Sequence, residues 1–409
     1  MSLSIPLLQF VAFLDLLSVG IIVPLIPNHV RQMGGNHICI GLLGSLYAGF
    51  QLGSGPFIGS LSDLKGRKFI LILTLLICSI AYMFLSVTNS IITILIIRAI
   101  LGLFKQTQLL TKALVPDYEV NEKMQSNIYG KMAAISGVGI TIGPVIGGHI
   151  VEDFPTAGFN FIAMLVGVCF IINAGLVFLL PKINNLPKQP QKVSKKASQN
   201  IILTLWDCSK QSIAELSKLE WSKYGTIFLF QALNSFAMGV YYSNYSLYLK
   251  TQYNLSPKNI GYVISLQGVI GSVSSFLMGY INSFYGNDDD YSQRNHHVFI
   301  LLSLSLLGIC LSFNVFMYSL LLIPLAIGNA VGRLVTLEMV LKKSHGDHRG
   351  TLIGASNSVR SLTGVIAPMV AGLVGEFFGV AYVLYASFFS TLIGLIVSYQ
   401  YKSKHVKVE

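Results

Sequence analysis

Gly59-Ser60-Leu61-Ser62-Asp63-Leu64-Lys65-Gly66-Arg67-Lys68 joins two long apolar runs, and its reading decides the fold. Gly59 and Gly66 permit a tight turn and a close approach of helices. Asp63 stands where a carboxylate bonds the exposed N–H groups of a helix start and meets the positive end of its dipole. Arg67 and Lys68 anchor the same face of a bilayer. An ordinary basic loop would not need the glycine spacing.

Working outward from this turn, apolar runs occupy 5–27, 38–59, 69–87, 91–113, 128–150, 159–180, 224–249, 258–281, 298–315, 317–340, 351–374 and 380–401. Most come close to the roughly 20 residues that cross a bilayer. The chain of 409 residues is 53% hydrophobic and 11% charged. A soluble chain carries about twice that charge, and one soluble core cannot absorb a dozen such runs. The first run carries Asp15 and lacks a basic leader, so it reads as a retained helix.

The net charge of +11 is distributed by side rather than gathered for a nucleic acid. An even helix number puts both termini on one face. That face collects Lys65, Arg67, Lys68, Lys123, eight lysines within 181–223, Arg294, Lys342, Lys343, Arg349, Lys402, Lys404 and Lys407. The other face has only Arg31, Lys250 and Lys258. The asymmetry assigns the termini to the cytosol. Of the five cysteines, Cys78, Cys169 and Cys310 lie in apolar runs, Cys39 borders one, and Cys208 is in a hydrophilic segment, giving no disulfide framework.

The segment 181–223 splits the chain into bundles at 1–180 and 224–401, with a short basic tail at 402–409. Its first part is rich in proline and lysine and reads as a linker. Its second part spaces Ile202, Leu205, Trp206, Ile213 and Leu216 as a helix would, which suits either an interfacial amphipathic helix or a solvated one. The bundles look duplicated. An offset of 224 residues superposes Gly130 on Gly354, Pro144 on Pro368 and Gly148 on Gly372, and 226 superposes Gly102 on Gly328. Two parallel repeats with a site between them are an architecture of alternating-access carriers.

The turn at 59–68 fits G-x-x-x-D-x-x-G-R-[KR] and resembles the signature loop of the major facilitator superfamily. Helix number, duplication and central linker resemble that family along the whole chain. The resemblance implies an all-α polytopic membrane protein of twelve helices in two pseudo-symmetric bundles, acting as a secondary carrier with no catalytic residue and no cofactor. It further implies a conformational gate of Gly59, Asp63, Gly66, Arg67, Lys68 and Asp117. In that gate Asp63 docks on the eleventh helix near Thr351 and Arg67 pairs with Asp117, locking the outward-facing state. The matching second-half loop, 279–290, keeps Gly279 and Gly286 but lacks the acid and the arginine, so no second lock of this kind is expected.

Gly139-Ile-Thr-Ile-Gly143-Pro144-Val-Ile-Gly147-Gly148 resembles the fifth-helix signature of the drug–proton antiporter branch, and Asp15-x4-Gly20-x3-Pro24-x2-Pro27 fits the same branch. Small residues every four positions let helices pack closely, and Pro144 frees a carbonyl and permits a bend. The motif therefore reads as a hinge, with plain helix packing as the alternative.

Asp15, Arg98, Lys105, Lys112, Lys131, Arg333, Glu338 and Arg360 lie within or at the ends of apolar runs. Each costs about 2.5–3.5 kcal/mol at a helix centre. Glu338, Lys112, Lys131 and Arg360 are near helix ends and can snorkel. Arg98, Lys105 and Lys112 recur every seven residues, which on one helix makes a basic stripe. Asp15, about 15 Å from the inner face, falls between Arg98 near about 20 Å and Lys105 near about 9 Å. Asp15 is the proton-coupling candidate, and a static ion pair is the competing reading. Arg98, Lys105, Gln231, Asn234, Tyr241, Tyr242 and Tyr245 are the candidates for the substrate cavity. The surplus of cations over Asp15 favours an anionic solute.

No metal-ligand spacing or phosphate loop is evident in the sequence, which reads against an enzyme or a nucleotide-driven pump. The expected partners are a small-molecule substrate, a proton as coupling ion and membrane lipid, for a chain acting as a monomer. A facilitative uniporter of the same fold and a non-transporting receptor or scaffold stay open as alternatives.

Overall fold

The computed structural model describes residues 4–181, 221–286, 288, 290–343 and 349–406. The amphipathic segment expected at 202–216 and the linker around it lie outside them.

Twelve spans follow in order. The first half comprises Ser4–Gln32, His37–Lys65, Arg67–Val87, Ile91–Tyr118, Glu122–Asp153 and Gly158–Phe178. The second half comprises Trp221–Tyr253, Pro257–Ser283, Ser292–Cys310, Val315–Lys343, Arg349–Phe377 and Val380–Val406. Among the described residues, nine helices are long and apolar enough to cross a membrane by themselves. The seventh, eighth and ninth are not counted among those nine. They carry many Ser, Asn, Gln, Tyr and His residues, and the seventh and eighth turn several of these into the interior.

Each half has its own core. The first is built around Leu8, Leu75, Leu101 and Phe170, and the second around Phe230, Tyr241, Leu302 and Tyr318. Leu247 of the seventh span is buried in the first core, so the halves interlock at that depth.

Sequence periodicity misjudges three spans. The fourth is not one continuous helix: it stops at Phe104 and restarts at Thr107, with Lys105 at ψ 69°. The eighth breaks at Leu277 and resumes from Met278 to Ser283. The ninth begins at Ser292 rather than 298, because Asp288 takes the backbone N–H groups of Gln293 and Arg294 and caps the polar first turn.

The face carrying the 65–67 turn and both chain ends is here termed the terminal side. The halves meet on the opposite side. There the second span lies against the eleventh and the fifth against the eighth. A Cβ added at Gly41 would collide with the carbonyl of Pro368, and one at Gly261 with that of Pro144. At Gly53, Gly59, Gly130, Gly271 and Gly354, towards the terminal side, the same addition meets open space. The structure is therefore shut on the side opposite the termini and open towards the terminal side.

Candidate functional site

Between the halves lies a cavity of about 1190 Å3, bounded by the first, second, fourth, fifth, seventh, eighth and tenth spans. Most of its wall is aliphatic. Its polar groups come from named positions on facing helices.

Arg98 reaches it from the fourth span. It is 7% exposed, donates from Nε to the Leu43 carbonyl at 3.2 Å, and lies over the Tyr47 ring at 4.4 Å. Its other N–H groups have no carboxylate partner among the described residues. Arg333 reaches the cavity from the tenth span, one turn beyond Asn329. Arg333 likewise has no ion-pair partner among the described residues. Tyr242 lies opposite, its hydroxyl bonded to Gln267 Nε2 at 3.1 Å and Asn329 Nδ2 at 3.0 Å. Tyr245 completes this wall. The described lining contains two arginines, one from each half, and no acid.

The other candidates lie elsewhere. Lys105 does not line the cavity. Its ammonium meets Asp15 at 2.9 and 3.1 Å, and Gln108 Nε2 adds a third contact to the carboxylate at 3.2 Å. Asp15 is 0% exposed, so the pair is sealed between the first and fourth spans. Lys112 is exposed. The three-cation stripe fails because heptad spacing keeps one face only on an unbroken helix, and this one breaks at Lys105. Gln231 is held by Ser356, with bonds of 2.8 Å in both directions. Tyr241 is fully buried and bonds Tyr318 at 2.6 Å, while Asn234 is buried beside Gly332. These three lie outside the cavity lining and cross-link the second bundle.

Asn329 and Gln267 are cavity residues that the sequence reading missed, and Arg333, singled out there as an intramembrane charge, was not assigned to the cavity. The signal was present: Asn329 and Arg333 stand four apart in an apolar run, on one helix face with Ala326 and Ala330.

The signature turn forms a cluster inside the first half. Gly66, at φ 97°, turns the chain. Arg67 bonds Asp63 Oδ1 at 3.0 Å, Asp117 Oδ1 at 2.9 Å and the Ala113 carbonyl at 2.8 Å. Lys68 Nζ bonds the carbonyls of Phe178 and Leu180 at the end of the sixth span. Among the described residues Asp63 makes no bond to the eleventh span in this open-sided form; the Thr351 side chain lies outside them.

The second half has a cluster of its own, which does not fit the signature spacing. Arg294 bonds Asp288 Oδ2 at 3.0 Å and Asn282 Oδ1 at 2.9 Å, and lies over the Tyr291 ring at 4.0 Å. Asp288 follows Asp63 by 225 residues and Arg294 follows Arg67 by 227, close to the repeat offset. Two extra residues between acid and base removed the match. Burial, with Asp288 adding to it, raises the Tyr285 phenol above its usual range.

The fifth-helix motif presents two faces. Gly139, Gly143 and Gly147 press on the first span, against Phe13, Gly20 and Ile21. Pro144 and Gly148 press on the eighth, against Gly261 and Pro257. The helix runs unbroken through Pro144 from Glu122 to Asp153. Its close contacts make it a seam between the halves as well as within one.

Comparison with known proteins agrees with this architecture. The sequence model of the Major Facilitator Superfamily matches residues 8–224 and 227–408. Quinolone resistance protein NorA of Staphylococcus aureus is 24% identical over 374 residues, covering 91% of this chain and 90% of that protein. The class H tetracycline resistance protein of Pasteurella multocida is 23% identical over 389 residues, covering 93% and 91%. A bacterial homolog of the human lysosomal transporter Spinster, in an inward-facing unoccupied conformation, superposes with TM-score 0.79 at 14% identity, covering 99% of this chain and 98% of that one. The human organic anion transporter MFSD10 (TETRAN) superposes with TM-score 0.65 at 19% identity, covering 97% and 98%. At these identities the structural likenesses establish the fold.

Proposed function

The chain belongs to the Major Facilitator Superfamily, and from that premise we propose that it carries small organic anions by alternating access, with Asp15 as the proton-coupling group. Membership makes it an integral multi-pass membrane protein and a secondary active transporter of a small solute rather than an enzyme. The anionic substrate, the proton, the cytosolic placement of the termini, the lipid contacts and the monomeric state are our reading.

One observation carries the anion preference: Arg98 and Arg333 face the same cavity from opposite halves, and its described wall holds no acid. Arg98 is buried without a carboxylate partner, which is costly unless water or a ligand meets it, while Arg333 is exposed and open to an incoming solute. An anion offsets both at once, and a planar carboxylate fits the guanidinium fork. Because the arginines lie on opposite halves, such an anion also couples the halves. The aliphatic remainder of the wall suits the apolar body of an organic solute.

Proton coupling rests on the Asp15–Lys105 pair. Asp15 and Lys105 are paired at 2.9 Å and sealed from the cavity. A proton on Asp15 would remove the charge that balances Lys105, so any path that opens the pair to water couples protons to helix position. The complete burial of Asp15 favours a second reading, in which the pair only braces the first and fourth spans and the protein is a uniporter. Thermal stabilisation of the purified chain by matched anionic, neutral and cationic aromatic solutes tests the substrate class. Anions stabilise on our reading; a preference for cations contradicts it.

A further inference from the structure

The side shut in this structure is closed by more than close-packed glycines. Glu152 lies in the last turn of the fifth span, and its Oε2 accepts the backbone N–H of Lys258 at 3.1 Å, in the first turn of the eighth. Glu376 lies in the last turn of the eleventh span, and its Oε2 accepts the backbone N–H of His37 at 2.9 Å, the first residue of the second. The two glutamates are 224 residues apart, the offset that also relates Pro144 to Pro368 and Gly148 to Gly372. Each stands one turn beyond a glycine seam: Gly148 packs on Pro257, and Gly372 packs on His37. The exchange is reciprocal. A first-half glutamate meets a second-half helix, and a second-half glutamate meets a first-half helix.

We propose that Glu152 and Glu376 are a matched pair of positioning residues, each latching the start of a helix in the other half, and that together they hold this side closed. The physical basis is the same twice. The first N–H groups of a helix have no intrahelical acceptor, and the dipole makes that end positive. A carboxylate placed there satisfies a donor and meets the field. When the halves separate on this side, both carboxylates leave their helix starts for water. Opening therefore costs two charge–dipole contacts in addition to the apolar seam. Both glutamates are exposed, so protons in bulk solution on that side reach them. The charged and titratable neighbours are His149 and Lys258 around Glu152, and His37 beside Glu376, with Arg31 acting on His37 in turn. His149 Nε2 also meets the Tyr262 hydroxyl across the fifth–eighth seam at 3.1 Å.

The inference rests on alternating access and is independent of which solute is carried, so its test reads conformation only. Ser246 is 1% exposed and lines the cavity near the closed side. The reporter is Ser246→Cys in a full-length chain whose native cysteines are serine, labelled by a membrane-impermeant maleimide applied from the closed side. Glu152→Gln and Glu376→Gln should each raise the labelling rate about two- to fivefold, and the double variant should multiply the two effects. Asp153→Asn, one residue from Glu152, should leave the rate unchanged. Gly261→Ala shows that the reporter responds to a disturbed seam. An unchanged rate in the double variant beside a raised rate in Gly261→Ala would overturn the proposal, as would an equal rise in Asp153→Asn.

Discussion

Lys105 closes on both carboxylate oxygens of Asp15, 90 residues away in the chain, with no water-accessible surface left on the acid. Breaking a buried pair from one side strands the other charge, at a cost of about 3–5 kcal/mol. Asp15→Asn and Lys105→Gln should each lower stability by that order, and the double variant should recover part of the loss. In proteoliposomes, Asp15→Asn should lose accumulation driven by a pH gradient yet keep solute exchange. Equal loss of both activities in the molecules that stay folded would leave the pair as a brace.

The two faces of the fifth-span motif separate two roles. A Cβ at Gly143 would press on Gly20 at 2.6 Å or less within the first half, so Gly143→Ala should destabilise the fold by about 1–3 kcal/mol. Gly261→Ala strikes the carbonyl of Pro144 across the halves instead. It should leave thermal stability nearly unchanged while favouring the form open on the opposite side. Melting curves paired with cysteine labelling from each side distinguish the two effects.

The two arginine clusters differ in depth, and removal should show it. The side chains of Arg67 and Asp117 are 27% and 22% exposed, those of Arg294 and Asp288 only 8% and 2%. Arg67→Gln should cost about 1 kcal/mol or less in stability, and Arg294→Gln about 3–5 kcal/mol. Thermal melts of the two variants in one detergent compare them directly.

Asp63 bonds Arg67 here and no described residue of the second half. If it docks on the eleventh span when the terminal side shuts, Asp63→Asn should slow transport while folding and membrane insertion stay intact. Normal transport by this variant would contradict the gate.

Most of the fold was legible because bilayer crossing forces long apolar runs, and the 224-residue offset exposed the duplication. The turn at Gly66 followed from a contiguous pattern, and the pairing of Arg67 with Asp117, 50 residues apart, was what the family resemblance implied. Legibility failed where the geometry was not regular. A heptad put Lys105 beside Arg98, yet a helix break after Phe104 turns Lys105 to Asp15 while Arg98 faces the cavity. Gln231, Asn234 and Tyr241 have the composition of a binding wall, but their partners Ser356 and Tyr318 and the neighbouring Gly332 come from other spans that no local pattern could pair with them. The Asp288–Arg294 cluster escaped because two extra residues moved the arginine out of the expected frame.

The most direct test of the central claim is uptake by proteoliposomes of a radiolabelled aromatic carboxylate beside its neutral amide, for the parent chain, Arg98→Gln and Arg333→Gln. The parent should prefer the carboxylate. Each substitution should weaken its apparent affinity by at least about tenfold, the equivalent of one charge-assisted hydrogen bond, with little effect on the amide. Equal uptake of both solutes by the parent, or unchanged carboxylate affinity in both variants, would contradict an anion site between Arg98 and Arg333.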